Sequence, residues 1–174
     1  IAVTNGNLSL SGTTTNGTGW SSTGNVTYNI ASNANVAMIG NATANGSGVV
    51  FGSTSGFFDT ATGSLGGITL NATSANGVGL TLNNNLSVNY NLTLIGSSTT
   101  STGLSVGTNV SFGADAGHAI TLIGNSTTGT GLNLAAGNTG STTITGNVNM
   151  VGITGNGTGI VMGSSNLSSA YVVN

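Results

Sequence analysis

One pattern of residues recurs six times along the 174-residue chain and constrains the fold more than any other feature. Each unit has two apolar residues at alternate positions, then a polar run of Ser, Thr, Asn and Ala, then a Gly-Thr-Gly triplet or a close variant. The triplets end at Gly19, Gly48, Gly79, Gly103, Gly131 and Gly159, at intervals of 29, 31, 24, 28 and 28 residues. Such a period is typical of stacked-repeat architectures. We therefore expect a single solenoid segment over residues 1–174, cut from a longer repeat rod.

Short alternating runs between the triplets predict β-strands. Leu80–Leu82, Leu86–Val88 and Leu92–Leu94 each place two leucines or valines on one face and a Thr or Ser on the other, which is the strand period. Apolar residues two apart, with glycine every few positions, cannot form the apolar face of a helix. Three short strands per turn then wind into an all-β, right-handed parallel β-helix with 24–32 residues per turn and six to seven turns.

Stacked turns place equivalent apolar residues above one another in three ladders that would form the core. The first ladder is expected to hold Val36, Ile68, Leu92, Ile120 and Val148. The second is expected to hold Met38, Leu70, Leu94, Leu122 and Met150, and the third Leu80, Leu104, Leu132 and Ile160.

Asn-Gly dipeptides predict the corners between strands, because both residues tolerate a positive φ. They occur at 16–17, 45–46, 76–77 and 156–157, and the Gly-Thr-Gly triplets are also interpreted as corners. Asn25, Asn85 and Asn109 each precede a strand and are expected to stack along the axis. The chain has no proline, which suits central strands in which every backbone N–H is needed.

The chain is almost free of charge: it has no Lys or Arg, and its only acidic residues and histidine are Asp59, Asp115 and His118. Nucleic acids and anionic membranes attract basic side chains, so neither is an expected partner. The longest apolar runs are too short for a membrane helix. Low charge with abundant Gly, Ser and Asn is also typical of disorder, but the regular placement of apolar residues favours a folded rod.

Few side chains are available for chemistry. Asp115 and His118 form the only nearby acid and imidazole pair, and we interpret them as part of a solvated loop. Asp59 and Asp115 lie about two turns apart, which disfavours the paired carboxylates of a polysaccharide depolymerase. There is no cysteine, and the repeats carry no Asp for calcium. We therefore predict no catalytic residue, no metal and no cofactor.

Asparagine glycosylation is the one modification that the sequence suggests repeatedly. Twelve Asn-x-Ser/Thr sequons occur, at Asn7, Asn16, Asn25, Asn41, Asn45, Asn71, Asn85, Asn91, Asn109, Asn125, Asn156 and Asn166. A corner asparagine followed by an outward Ser or Thr creates a sequon without any sugar, so both interpretations stay open. Rows of outward threonine also allow an ice-binding face, which the irregular positions of Ala72, Ala75 and Val78 disfavour.

Residues 92–106, 120–134 and 148–162 read LTLIGSSTTSTGLSV, ITLIGNSTTGTGLNL and VNMVGITGNGTGIVM. These units resemble the β-helical shafts of large bacterial exoproteins of the filamentous-haemagglutinin type, which include two-partner-secreted adhesins and contact-dependent inhibition stalks. The resemblance covers essentially the whole chain. It implies a secreted or outer-surface protein of a Gram-negative bacterium that adheres or projects a distal tip. Some members of that group are glycosylated on asparagine sequons.

The function expected from these observations is a non-catalytic structural and adhesive shaft of a surface or secreted fibre. Its partner would be a host or bacterial surface glycan or receptor, with Trp20, Tyr28, Phe57, Phe58 and Tyr90 as candidates for stacking on sugars or for filling the core. The alternative is end-to-end or lateral self-assembly into a filament or surface layer, because no charged residue guards the strand edges. No insertion into a membrane is expected.

Overall fold

The computed structural model describes residues 1–3, 6–23, 27–30, 34–52, 56–59, 67–83, 86–88, 91–107, 110–114, 118–134, 142–163, 165–167 and 171–173. Within these ranges the chain forms strands and bends, with no helix. The all-β class expected from the period-two alternation is therefore confirmed.

The described ranges contain twenty strands, most of them three, four or eight residues long. In order they are β1 (Ala2–Val3), β2 (Leu8–Asn16), β3 (Trp20–Ser22), β4 (Thr27–Ile30), β5 (Asn35–Asn45), β6 (Val49–Phe51), β7 (Gly56–Asp59), β8 (Gly67–Ser74), β9 (Leu80–Leu82), β10 (Leu86–Val88), β11 (Asn91–Ser98), β12 (Leu104–Val106), β13 (Ser111–Ala114), β14 (Ala119–Ser126), β15 (Leu132–Leu134), β16 (Thr142–Thr145), β17 (Asn147–Thr154), β18 (Ile160–Met162), β19 (Ser165–Leu167) and β20 (Tyr171–Val173).

Strands three apart in this order pair in parallel, so the chain winds as a β-solenoid. One sheet has the order β2-β5-β8-β11-β14-β17-β20 and is called the long sheet here; a second has the order β3-β6-β9-β12-β15-β18. The third side is divided into a sheet of β1-β4-β7 and a sheet of β10-β13-β16-β19. All three sides are thus paired continuously over about four turns, from β8 to β19. The expected six to seven turns and the right-handed winding stay predictions.

The core consists of apolar ladders that run along the rod. In the long sheet Val36, Ile68, Leu92, Ile120 and Val148 pair in that order, as do Met38, Leu70, Leu94, Leu122 and Met150, and all ten side chains are buried. In the second sheet Leu80, Leu104, Leu132 and Ile160 pair in the same way, with Ile160 only partly buried. Because the register repeats without a slip from β8 to β17, the same face of every strand points inward.

In the coils of β11 and β14, the triplet brings two sides of the coil into backbone contact. A Cβ on Gly96, in β11, would collide with the carbonyl of Gly103, and a Cβ on Gly124 would collide with the carbonyl of Gly131. Gly103 and Gly131 lie in bends, as the sequence suggested, and a Cβ on either would also collide with the backbone of a neighbouring coil. We call this narrow part of the coil the constriction.

Asparagines stack at the Asn-Gly corners. The Asn45 Nδ2 donates to Asn16 Oδ1 over 3.2 Å, and the Asn76 Nδ2 donates to Asn45 Oδ1 over 3.3 Å. The expected stack of Asn25, Asn85 and Asn109 lies outside the described residues.

Positive φ occurs at two of the four Asn-Gly corners at 16–17, 45–46, 76–77 and 156–157. Gly17 and Gly46 have φ of 113° and 118°, whereas Gly77 and Gly157 do not adopt a positive φ. The prediction of a positive φ at these last two was wrong. Their glycines are required because a Cβ would collide with the backbone of the coil below.

Candidate functional site

A groove runs along the outside of the long sheet, over the constriction. It has a volume of about 420 Å³ and crosses β8, β11 and β14 at their carboxyl ends. Because Gly96 and Gly124 have no side chain inside the coil, their strands lie close to the backbone on the opposite side. The next residues, Ser97 and Asn125, then lie at the bottom of an outer depression. The glycines of the repeat thus produce the groove as well as the constriction.

Polar side chains of neighbouring coils line the groove as a row. Thr73, Ser97 and Asn125 are paired in register. The Asn125 Nδ2 donates to Ser97 Oγ over 3.4 Å, and the Thr73 Oγ1 donates to Asn41 Oδ1 over 2.7 Å one coil below. Because these bonds use only part of each group's capacity, Thr73 Oγ1 can still accept a hydrogen bond and the Ser97 hydroxyl can still donate one.

The row of polar residues ends at Ile153. This residue pairs with Asn125 on the next coil, and its side chain is 56% exposed. Asn125 Oδ1 is buried and has no hydrogen-bond partner among the residues that the structure describes. Ile153 has no polar side-chain atom to offer it, so the amide oxygen is left unpaired at the end of the groove.

Two threonines form the rim of the groove on the corner side. Thr99 and Thr127 are exposed, and their hydroxyls make no hydrogen bond within the described residues. None of the described residues that line the groove has a charge. These residues can therefore exchange several hydrogen bonds with a neutral ligand but offer no ion pair to a charged one.

An apolar stripe borders the groove on the side away from the corner. Ile95, Ile123 and Val151 pair in register on the outer face of the long sheet, and each is half-buried by its neighbours. Hydroxyls next to apolar surface are suited to ligands that have both polar edges and apolar faces.

The acid and imidazole pair suggested by the sequence is only partly described. Asp115 lies outside the described residues, and of Asp59 only the backbone, at the end of β7, is described. His118 precedes β14, and its Nδ1 is buried without a hydrogen-bond partner in the described part of the chain. Across the described residues there is no cluster of three or more His, Cys, Asp or Glu side chains that could hold a metal.

The sequons differ in accessibility. Asn7, Asn16, Asn45, Asn71, Asn91 and Asn156 are exposed, and Asn41 and Asn125 are half-buried. Only the backbone of Asn166 is described, and Asn25, Asn85 and Asn109 lie outside the described residues. Two of the exposed amides cap a neighbouring strand: Asn7 Oδ1 accepts from the backbone N–H of Asn35, and Asn91 Oδ1 accepts from that of Ala119, both over 2.9 Å.

Of the aromatic residues proposed for sugar stacking, Trp20 packs on the core. Its ring centroid lies 5.0 Å from that of Phe51, with the two planes tilted by 48°. Tyr28, Phe57 and Phe58 are described only as backbone in β4 and β7, and Tyr90 lies outside the described residues.

Sequence reasoning missed the groove, although one signal for it was present. A glycine occupies the same register position in β2, β5, β11, β14 and β17, seven residues before the glycine that ends the triplet in four of these five units. Two glycines that face each other across a thin coil predict a constriction, and a constriction predicts a depression outside.

No helix in the described part of the chain has the length and hydrophobicity needed to cross a membrane. In comparisons with known proteins, the chain matches no family model, no curated protein and no solved structure.

Proposed function

We propose that this chain is a non-catalytic shaft segment of a secreted or outer-surface bacterial fibre, with weak adhesive contacts along its neutral faces. The observation that carries the proposal is the parallel stacking of the seven described strands of the long sheet over apolar ladders, with a register that repeats without a slip from β8 to β17. We infer the bacterial surface location from the resemblance of the repeats to shafts of the filamentous-haemagglutinin type.

Stiffness follows from this arrangement. Each inner strand of the long sheet is hydrogen-bonded to a strand on either side, and its inward residues pack on the equivalent residues above and below. Bending the rod would open backbone hydrogen bonds and apolar contacts together. A spacer that holds a distal element away from a surface needs this resistance to bending.

The adhesive part of the proposal rests on the groove. Its lining offers hydroxyl and amide groups without charge, beside the apolar stripe of Ile95, Ile123 and Val151. The chemistry that fits is a neutral glycan, which has hydroxyl edges and apolar C–H faces. One groove would bind weakly, and repetition along a fibre would raise the avidity.

The shaft is tested by its shape in solution. Seven strands spaced about 4.8 Å apart give a rod on the order of 30 Å along the sheet. Small-angle X-ray scattering of the isolated chain, and of a chain in which residues 92–119 are duplicated, measures the added length per coil. We expect the duplicated chain to be longer by about 5 Å with an unchanged cross-section. An unchanged maximum dimension would contradict the shaft.

The adhesive groove is tested by replacing its rim hydroxyls. The double variant Thr99→Val and Thr127→Val keeps the side-chain volume and breaks no hydrogen bond within the described residues. Binding to dextran, mannan and galactomannan columns should weaken by about tenfold, as loss of two hydrogen bonds predicts. Thr102→Val with Thr130→Val is the matched control, since these threonines do not line the groove. Equal weakening in both double variants would contradict the groove.

Self-assembly into a filament is the second candidate function, and one observation favours it. The outer face of the long sheet carries Ile39, which is 48% exposed, and the half-buried stripe of Ile95, Ile123 and Val151, and its described strands contain no charged residue. An exposed apolar face without charge is a surface on which a second chain can pack. Sedimentation over a range of concentrations tests this, with Ile39→Lys as the variant that should keep the chain monomeric. A monomer at all concentrations would contradict the filament.

A further inference from the structure

The Asn-Gly corners differ in how firmly the structure holds their amides. Asparagine followed by glycine is chemically labile, because the glycine nitrogen meets no side chain when it attacks the asparagine Cγ. The reaction needs a mobile amide and a backbone N–H that is free to lose its proton. Four such dipeptides, at 16–17, 45–46, 76–77 and 156–157, lie within the described residues. A fifth, at 5–6, has its asparagine outside them.

Hydrogen bonds restrain three of the four dipeptides. The Asn76 Nδ2 donates to Asn45 Oδ1, its Oδ1 accepts from Thr100 Oγ1 over 3.4 Å, and the following Gly77 N–H donates to Ser74 Oγ over 2.8 Å. The Asn45 amide is held from both sides by the stack with Asn16 and Asn76.

Asn16 is restrained in the same manner. Its Oδ1 accepts from the Asn45 Nδ2, and the Gly17 N–H donates to the backbone carbonyl of Asn45 over 2.7 Å.

Asn156 has neither restraint. Its side chain is exposed and makes no hydrogen bond within the described residues, and the Gly157 N–H has no acceptor there. The coil below offers Asn156 no amide, because Thr128 stands at the equivalent corner position and donates its hydroxyl to the carbonyl of Thr99. The stack of amides at the first three corners therefore does not continue to Asn156, because the residue below Asn156 is a threonine.

We propose that Asn156 is a site of spontaneous deamidation in the folded rod, whereas Asn45 and Asn76 are protected. The Gly157 nitrogen loses its proton to hydroxide and bonds to Asn156 Cγ. The bond from Cγ to Nδ2 breaks, and the nitrogen takes up a proton from water and leaves as ammonia. Water then opens the resulting succinimide at either carbonyl, which gives aspartate or isoaspartate. The net reaction consumes one water and releases one ammonia, with no change of oxidation state.

The modification has two consequences for this chain. It takes the formal charge from −2 to −3, a large relative change for a surface with so few ionised groups. It also removes the asparagine of the Asn156-Gly157-Thr158 sequon. A sugar on Asn156 Nδ2 would block the reaction, so glycosylation and deamidation exclude each other at this position.

The test is peptide mapping of the full chain after incubation at mildly alkaline pH. Pepsin digestion at low pH stops the reaction, and mass spectrometry measures conversion of amide to acid at each asparagine. We expect conversion at Asn156 to be at least about tenfold faster than at Asn45 or Asn76, since those amides must first break two hydrogen bonds. In guanidinium chloride the rates should converge. Faster conversion at Asn45 or Asn76 in the folded chain, or no conversion at Asn156, would overturn the proposal.

A variant tests the cause. Thr128→Asn places an amide below Asn156 and should slow its conversion by about two- to tenfold, which corresponds to one added hydrogen bond. The new Asn-Gly pair is itself restrained, because the Gly129 N–H donates to Ser126 Oγ over 2.8 Å. Thr130→Asn is the matched control and should leave the rate at Asn156 unchanged. Equal rates in wild type and Thr128→Asn would show that the missing stack is not the cause.

Discussion

At the scale of single residues, buried serines hold the corners of the central coils together. Ser74, Ser98 and Ser126 follow one another in register at the end of the long strands, and all three are buried. Each hydroxyl donates to a backbone carbonyl of the coil below, at 2.6 to 2.7 Å, and accepts from the backbone N–H three residues ahead. One side chain thus satisfies two backbone groups that the corner removes from the sheet.

The variant Ser98→Ala tests this role. It leaves the carbonyl of Gly77 and the N–H of Ser101 without these partners, and we expect the free energy of unfolding to fall by about 1–3 kcal/mol. Chemical denaturation followed by circular dichroism measures the change. Ser105→Ala, on the outer face of β12, is the matched control and should cost less than about 0.5 kcal/mol. Equal losses for the two variants would contradict the role of the serine row.

Ile153→Thr should stabilise the rod. A threonine here could donate to the unpaired Asn125 Oδ1, as Thr73 Oγ1 already donates to Asn41 Oδ1 in the same row over 2.7 Å. We expect a gain of about 1 kcal/mol in the free energy of unfolding, because a buried acceptor gains a partner and little apolar contact is lost from an exposed side chain. Ile153→Val supplies no donor and should give no gain. A loss of stability in the threonine variant would contradict this account of Asn125.

At the scale of strands and corners, one extra residue changes the geometry of the second corner. Thr14 pairs with Ala42, but Asn16 pairs with Asn45, so β5 has one residue more than β2 over this interval. Ala42 occupies the register position of Ser74 and cannot make the serine's hydrogen bonds. The wider corner instead turns through Gly46, with φ of 118°, directly above Gly17 with φ of 113°.

The constriction can be tested with two glycines that hold the same place in different coils. A Cβ on Gly103 would collide with the backbone of Asn125, whereas one on Gly159 would meet nothing nearer than the Gly152 carbonyl at 3.0 Å. We expect Gly103→Ala to lower the free energy of unfolding by roughly 3 kcal/mol or more, since backbone in a packed stack cannot move aside. Gly159→Ala should cost about 1 kcal/mol or less in the same denaturation assay. Similar losses would mean that the glycine is not needed for close approach.

At the scale of the whole molecule, the chain has so few charged residues that ion pairs contribute little to its free energy of unfolding. The chain has no basic side chain to pair with its two acids, so apolar ladders and hydrogen bonds supply its stability. The same neutrality leaves the described strands of the long sheet and of the second sheet without charged residues that would discourage pairing. Both the proposed shaft and the filament depend on this property.

Salt dependence tests this description of the rod. From about 0.01 to 0.15 M NaCl the Debye length falls from about 30 to 8 Å, which weakens exposed ion pairs. We expect the free energy of unfolding to change by less than about 0.5 kcal/mol over this range. Thermal unfolding at several salt concentrations measures it. A larger change would indicate that Asp59, Asp115 or His118 makes an ionic contribution that the composition does not suggest.

Much of the fold could be predicted from particular residues. The alternation in Leu92–Leu94 and Ile120–Leu122 identifies strands and their inward faces, and the interval between the two runs gives the length of a turn. Prediction of the core was possible because each ladder needs only the same residue type at the same place in each repeat.

The corners and the groove were harder to predict, because they depend on contacts between coils. Gly77 and Gly17 stand in the same Asn-Gly dipeptide, yet of the two only Gly17 has a positive φ, and only the N–H of Gly77 donates to a buried serine. Asn76 and Asn156 also share that dipeptide, but neighbouring coils hold the amide of Asn76, whereas Thr128 below Asn156 donates its hydroxyl to the carbonyl of Thr99 instead.

The sequence alone therefore determined the class of fold, the inward residues and the absence of a charged surface, because these depend on residue type and spacing along the chain. The tertiary structure alone decided where the coil narrows, which hydroxyls line a groove and which asparagine is free to react. These features depend on the residue that stands one coil away, about 28 positions along the chain, and its identity varies from one repeat to the next.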